Sequence, residues 1–217
     1  FLMIRRPPRS TQEVSSAASD VYKRQESNKV MNIGVLGGTF DPPHDAHLRI
    51  AERSIDQFSL DKVIFIPSGN PWQKKDATSY RHRYEMTKIL IGDSNDLEIS
   101  DIENSEEKPS YTYETLKKLN HPKEELYFIL GSDAAINIKT WKNYELLSNL
   151  TNFLIALRSE DNIDVLEKNF PFNYEIISGD KLDLSSTTLR NKLKEKNIEV
   201  SDLPSEILTY IKENSLY

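Results

Sequence analysis

The chain has 217 residues, 37% of them hydrophobic and 29% charged, which is enough for one well-packed soluble domain and short for two. No apolar run approaches the roughly 18 residues that a membrane span needs. The absence of cysteine excludes a disulfide framework and thiolate catalysis, and it fits a cytoplasmic protein. A net charge of −6 argues against a protein that coats nucleic acid, so any phosphate ligand has to be held by a local site rather than by a general field.

In chain order, residues 1–30 stand apart. They carry a balance of +3, which leaves −9 for the remainder. They are rich in Ser, Arg and Pro, lack periodicity and have no apolar core of signal-peptide length. The stretches Arg5-Arg6-Pro7-Pro8-Arg9-Ser10-Thr11 and Ser16 to Gln25 resemble translated adapter sequence, with a basic targeting arm as the other reading. Residues 1–30 are expected to be a disordered leader, with Met31 as the start of a single domain over 31–217.

From Met31 onward, short β-like runs alternate with amphipathic stretches. Strands are predicted at Ile33–Leu36, Lys62–Ile66, Leu97–Ser100, Leu126–Leu130, Phe153–Leu157 and Tyr174–Ile177. Helices are predicted at His47–Phe58, Tyr80–Ile91, Tyr113–Leu119, Asp133–Ile138, Tyr144–Ser148, Ile163–Asn169, Thr187–Lys196 and Ser201–Glu213. Strands that are apolar throughout, each followed by a helix, indicate an α/β fold: a Rossmann-like, doubly wound parallel sheet with helices on both faces. Right-handed crossovers put the loops that follow the strands along one edge, where such folds bind ligands. Two long polar loops, Pro67–Ser79 and Asp101–Ser110, are expected to act as lids over that edge.

The most informative stretch is Ile33-Gly-Val-Leu-Gly-Gly-Thr-Phe-Asp-Pro-Pro-His-Asp-Ala-His47. An apolar strand breaks at Gly37-Gly38-Thr39, bends at Asp41-Pro42-Pro43 and delivers His44 and His47 to a helix start. Glycines let the backbone approach an anion, and the first turn of a helix offers free N–H donors and partial positive charge. Two imidazoles three residues apart share a helix face. Metal ligation is the alternative for this pair, but the spacing is three rather than four and no Glu lies between them.

Leu184-Ser185-Ser186-Thr187-Thr188-Leu189-Arg190 reads either as a plain N-cap, with Ser186 or Thr187 opening a helix, or as a hydroxyl-lined helix start that grips polyphosphate with Arg190 one turn on. Gly131-Ser132-Asp133, at the end of the fourth strand, is a strand-to-helix turn whose carboxylate can accept from sugar hydroxyls. Trp141, beyond it, is either a core residue or a face on which a heteroaromatic ring stacks.

Together, Gly-Gly-Thr-Phe-Asp-Pro-Pro-His-x-x-His, Asn70-Pro71-Trp72-Gln73-Lys74, Ser110-Tyr111-Thr112-Tyr113-Glu114-Thr115-Leu116, Gly-Ser-Asp with Trp141, and Ser-Ser-Thr-x-x-Arg resemble the bacterial nicotinate mononucleotide adenylyltransferases of the nucleotidyltransferase superfamily. The resemblance runs from Met31 to the end. It implies transfer of AMP from ATP to nicotinate mononucleotide, giving deamido-NAD and pyrophosphate. It also implies that His44, His47, Arg190 and Lys74 act on the phosphates and that Gly37, Gly38, Thr39 and Phe40 line the nucleotide site. Gly131, Asp133, Ser185, Ser186 and Thr187 complete the ATP pocket. Thr112, Trp141 and Lys142 serve the mononucleotide, with backbone N–H groups near Thr112 and Lys142 as candidates for the nicotinate carboxylate.

The implied partners are ATP, Mg²⁺ carried on it and nicotinate mononucleotide, with no nucleic acid and no membrane. An oligomer fits such an enzyme, though no feature fixes its stoichiometry. Three departures from the family pattern stand out: Ala46 in place of Gly, Trp72-Gln73 in place of Pro-His, and Arg158-Ser159-Glu160 in place of Arg-Pro-Gly. Ala46 and the altered lysine loop keep open a non-catalytic ATP-binding relative. Phosphopantetheine adenylyltransferase is the nearest alternative enzyme.

Overall fold

The structure is a computed structural model that describes residues 30–71, 74, 76–105, 107–158, 162–180, 184–195 and 203–217. The expectations for the leader (residues 1–29) and for Trp72, Gln73, Ser159 and Glu160 lie outside the described residues, as do the predicted helix ends at Lys196 and Ser201. Asn32–Tyr217 forms one compact unit.

Its frame is a six-stranded sheet made of β1 (Ile33–Gly38), β2 (Lys62–Pro67), β3 (Leu97–Ile99), β4 (Leu126–Gly131), β5 (Asn152–Ala156) and β6 (Glu175–Ile177). Every pairing is parallel and the order is β3-β2-β1-β4-β5-β6. The strand order therefore reverses between β1 and β4, and a crevice opens past the carboxyl ends of that pair. Burial on both faces explains the apolar strands. Leu36, Phe65, Ile129 and Leu154 point to one core, while their neighbours Val35, Ile66, Phe128 and Phe153 point to the other, as the two-residue pleat requires.

On the first face lie α1 (Asp45–Phe58), α2 (Tyr80–Ile91), α6 (Ser186–Lys194) and α7 (Ser205–Glu213), which contribute Ala51, Met86, Leu189 and Ile207 to its core. On the second lie α3 (Thr112–Leu119), α4 (Ser132–Ile136) and α5 (Ile163–Asn169), which contribute Leu116, Ala135 and Leu166.

Four predicted helices begin elsewhere, stop early or change type. The first begins at Asp45 rather than His47, because His44 keeps an extended backbone and stands at the N-cap directly after two prolines. The segment predicted as Asp133–Ile138 stops at Ile136 and continues as a 3₁₀ turn, Ile138–Thr140, and Tyr144–Asn149 is likewise 3₁₀. Asn137 and Thr140 donate to the carbonyls of Asp133 and Asn137, so side chains compete with a continuing helix there. The last helix starts at Ser205, since Pro204 holds an extended ψ of 142° at its N-cap.

The two long loops are joined to each other. Ser110 Oγ accepts from the N–H groups of Gly69 and Asn70 at 3.0 and 3.2 Å. A side chain at Gly69 would collide with the Glu103 carbonyl, which is why the loops close so tightly there.

Candidate active site

Two glycines border the crevice. Gly37 is exposed near the end of β1, and nothing lies within 4 Å of where a Cβ on Gly131 would stand at the end of β4. Bare backbone on both sides of the switch point leaves room for a ligand to meet the main chain. Beyond Gly38, Phe40 takes a left-handed φ of 52° and turns its ring into the core, with only 2% of the residue exposed. The ring lies 5.6 Å from Phe65 and edge-on to His47 at 5.0 Å, so Phe40 supports an imidazole; its ring does not line the crevice.

The two histidines stand together, their ring centroids 3.9 Å apart. The His44 backbone N–H donates to His47 Nδ1 at 3.2 Å. A neutral His47 must then carry its proton on Nε2, which makes that atom a hydrogen-bond donor. Burial chiefly, and the Arg158 charge in addition, lower the His44 pKa to about 4. His47 is also held well below the usual histidine value, by burial first and then by His44 and Lys74. Without a ligand, both rings are therefore neutral near pH 7, acting as donors rather than cations.

The charges come from elsewhere. Arg190 Nη1 donates to the Asp41 carbonyl at 2.6 Å and Nη2 to Thr187 Oγ1 at 3.3 Å. Ser186 Oγ donates to the Pro42 carbonyl at 2.9 Å. These contacts pin the start of α6 against the bend that carries the histidines. The helix is capped by Ser185, one residue earlier than the sequence suggests: its extended backbone stays outside the helix and its Oγ accepts from the Thr188 N–H at 3.1 Å. The hydroxyls of Ser185 and Ser186 thus also do structural work, one for the helix and one for the loop.

Lys74 reaches the same place. Its ammonium is held below the usual lysine value, first by desolvation and then by the Arg190 charge, with the Asp41 carboxylate acting in the opposite sense. His44, His47, Lys74 and Arg190 are therefore neighbours in the fold.

Three further residues hold the site together through contacts that the sequence does not announce. Arg83, on α2, is 1% exposed and bonds three carbonyls in two loops with one guanidinium: Nε donates to the Thr78 carbonyl, Nη1 to Thr39 and Nη2 to Gly69, at 2.7, 2.8 and 3.1 Å. It ties the glycine loop to the lysine loop. Arg158, just past β5, bonds Asp133 at 2.9 Å, so the carboxylate expected on sugar hydroxyls sits beside a cation. Asp41 is 2% exposed and accepts from the Thr78 N–H at 3.2 Å and from the Tyr217 hydroxyl at 2.5 Å. A helical arginine, an arginine after a strand and a terminal tyrosine each look ordinary in isolation; only long-range contacts give them a place.

Past Gly131, the chain builds a second group. Thr112 opens α3. Lys142 Nζ lies 4.2 Å from the centroid of the Tyr111 ring and 3.0 Å from Glu114 Oε1. Trp141 is half-buried and meets Phe128 edge-on at 6.2 Å, which makes it both a core contact and part of this cluster. Thr112, Trp141 and Lys142 belong to one neighbourhood, on the side of the sheet opposite α1 and α6.

A 3-2-1-4-5-6 parallel sheet with a glycine loop, paired imidazoles and an arginine-bearing helix start at its switch point defines a nucleotidyltransferase-type α/β protein. The comparisons with known proteins agree. The cytidylyltransferase-like family model matches residues 35–192. The probable nicotinate-nucleotide adenylyltransferase of Desulfitobacterium hafniense (strain Y51) is 39% identical over 196 residues, covering 85% of this chain and 95% of that protein. Its namesake from Clostridium novyi (strain NT) is 40% identical over 195 residues, covering 85% and 98%. Among solved structures, the Plasmodium falciparum nicotinic acid mononucleotide adenylyltransferase complexed with NaAD superposes with a TM-score of 0.73 at 28% identity, covering 86% of this chain and 97% of that one. The chain belongs to the nicotinate-nucleotide adenylyltransferase family, within the cytidylyltransferase-like group.

Proposed function

We propose that this protein transfers the adenylyl group of ATP to nicotinate mononucleotide, forming deamido-NAD and pyrophosphate. The observation that carries the reading is the fastening of the α6 start to the histidine-bearing bend, Arg190 to Asp41 and Ser186 to Pro42. It gathers imidazole, ammonium and guanidinium groups at the mouth of the crevice. The relatives' names and the NaAD-bound neighbour support the choice of substrates.

In this reading a 5′-phosphate oxygen of the mononucleotide attacks the α-phosphorus in line. The bond from that phosphorus to the bridging oxygen breaks, and pyrophosphate leaves with the electron pair. A phosphate monoester is already an anionic nucleophile, so no general base is needed. Catalysis is placement plus neutralisation of the charge that builds on the α-phosphate and the leaving group. Nε2–H of His47 donates to phosphate oxygen, Arg190 and Lys74 meet the β- and γ-phosphates, and the glycine loop leaves space for the chain to approach. Thr112, Trp141 and Lys142 hold the pyridine end.

Ala46 is 5% exposed, so its methyl is covered by protein rather than set in the path of the phosphates; this favours turnover over mere binding. Mg²⁺ enters as part of the substrate. This hard ion prefers oxygen ligands, whereas the site offers neutral imidazoles, ammonium and guanidinium, and both oxygens of Asp41 are already engaged. Among the described residues no helix is long and apolar enough to cross a membrane.

The test is a panel of mononucleotides incubated with ATP and Mg²⁺ and read by product mass. Formation of deamido-NAD with release of pyrophosphate is expected. ATP binding without pyrophosphate release for every mononucleotide would overturn the reading. Comparing kcat/KM for nicotinate and nicotinamide mononucleotides tests the choice between them, and equal values would reject the nicotinate preference.

A further inference from the structure

We propose that Tyr217 is a positioning residue of the phosphate site: its hydroxyl holds the Asp41 carboxylate in place and keeps it from capturing Lys74 or Arg190, the cations that meet the triphosphate. The inference rests on the adenylyl-transfer reading above.

The residues involved lie 176 positions apart in the chain, yet the Tyr217 hydroxyl donates to Asp41 Oδ1 at 2.5 Å. The other carboxylate oxygen accepts from the Thr78 N–H, at the end of the lysine loop. The carbonyl of the same aspartate accepts from Arg190. One nearly inaccessible residue therefore joins the histidine bend, the lysine loop, the arginine helix and the last residue of the sequence. Tyr217 is brought there by a firm support. Ile207 and Ile211 of α7 are buried in the core, the Leu216 N–H returns to the Ile211 carbonyl at 3.0 Å, and Leu216 and Tyr217 pack on the same core.

The charge balance explains why a hydroxyl is useful here. Asp41 acts electrostatically on Lys74, and Arg190 acts on Tyr217, so the carboxylate stands among the cations meant for the substrate. A buried carboxylate with an open lone pair takes the nearest available cation. The phenol fills that lone pair with a neutral donor. Burial and the neighbouring carboxylate push its pKa up, so it remains protonated and keeps donating. Nothing in this arrangement touches the Thr112–Trp141 group, which predicts an effect on one substrate and not on the other.

The experiment uses the full chain, with Tyr217→Phe, Asp41→Asn and the double variant. Tyr217→Phe keeps the ring and removes only the hydroxyl. It is expected to lower kcat/KM for ATP about tenfold while KM for nicotinate mononucleotide stays within twofold. In the Asp41→Asn background, where no carboxylate is left to capture a cation, Tyr217→Phe is expected to cost less than twofold. Wild-type kcat/KM for ATP in Tyr217→Phe would overturn the proposal. So would equal losses for both substrates, or additive losses in the double variant. Should Tyr217→Phe fold poorly, the same comparison is made with a non-hydrolysable ATP analogue by calorimetry below its unfolding temperature, and unchanged affinity overturns the proposal there too. An inactive wild-type protein would instead refute the adenylyl-transfer reading, so the two failures are distinguishable.

Discussion

The two ends of the crevice are built differently. At the phosphate end, Arg190 and Ser186 are tied to main-chain carbonyls, and the two imidazoles are kept neutral by burial. At the pyridine end, Lys142 is paired with Glu114 and covers the Tyr111 ring, with both charged side chains about half exposed. The first arrangement aims donors and charge at a highly charged ligand. The second is largely self-neutralised and exposed, so its ion pair contributes little to stability and its ring surfaces supply most of the binding. Phosphate-end changes should therefore reduce turnover, whereas pyridine-end changes should alter the recognition of one substrate.

The sharpest break is His47→Ala. Removing a pre-aligned donor to developing charge should lower kcat roughly 10²- to 10³-fold, measured by pyrophosphate release, with the far-UV spectrum unchanged. Near-normal turnover would sink the role given to His47. A second effect concerns pH. The His44 pKa is about 4 in the folded protein, against an ordinary histidine value of 6.5, so between those values the unfolded chain binds more protons. Stability contributed by neutral His44 is present above pH 6.5 and is lost as pH falls toward 4, on the order of 3 kcal/mol. Urea titrations from pH 7.5 to 4.5 should show that loss, and His44→Gln should reduce it, leaving the part that His47 contributes.

At the other end, Trp141→Ala should raise KM for nicotinate mononucleotide roughly 3- to 10-fold, the value of one aromatic contact, and leave KM for ATP alone. An equal rise for ATP would mean that the two ends are not separable. The smallest effect expected is that of Ser185→Ala. Loss of the α6 cap should cost about 1 kcal/mol, seen as a fall in Tm of about 2–4 °C.

Much of this was legible in the chain. All six strands were found, every end falling within two residues of that observed, because each is a short apolar run closed by polar or glycine residues. The phosphate loop was legible for the same reason: glycine, proline and N-cap preferences act over a few residues. The broken stretch around Asn137 was not, since its apolar spacing fits a helix while its side chains bond the backbone instead. The ring of Phe40 reads as part of a binding motif, and only the fold shows that it faces the core.

What the sequence determined by itself was thus the α/β alternation, the parallel sheet and the identity of the groups able to hold phosphate, all consequences of local propensity and spacing. The tertiary structure alone decided that Arg83 would join two loops through three carbonyls, that Arg158 would stand beside Asp133, and that Arg190 and Tyr217 would meet Asp41 across 149 and 176 residues. Those contacts depend on the order in which the strands lie in the sheet. That order is set by packing the whole chain around two cores, and no short segment carries it.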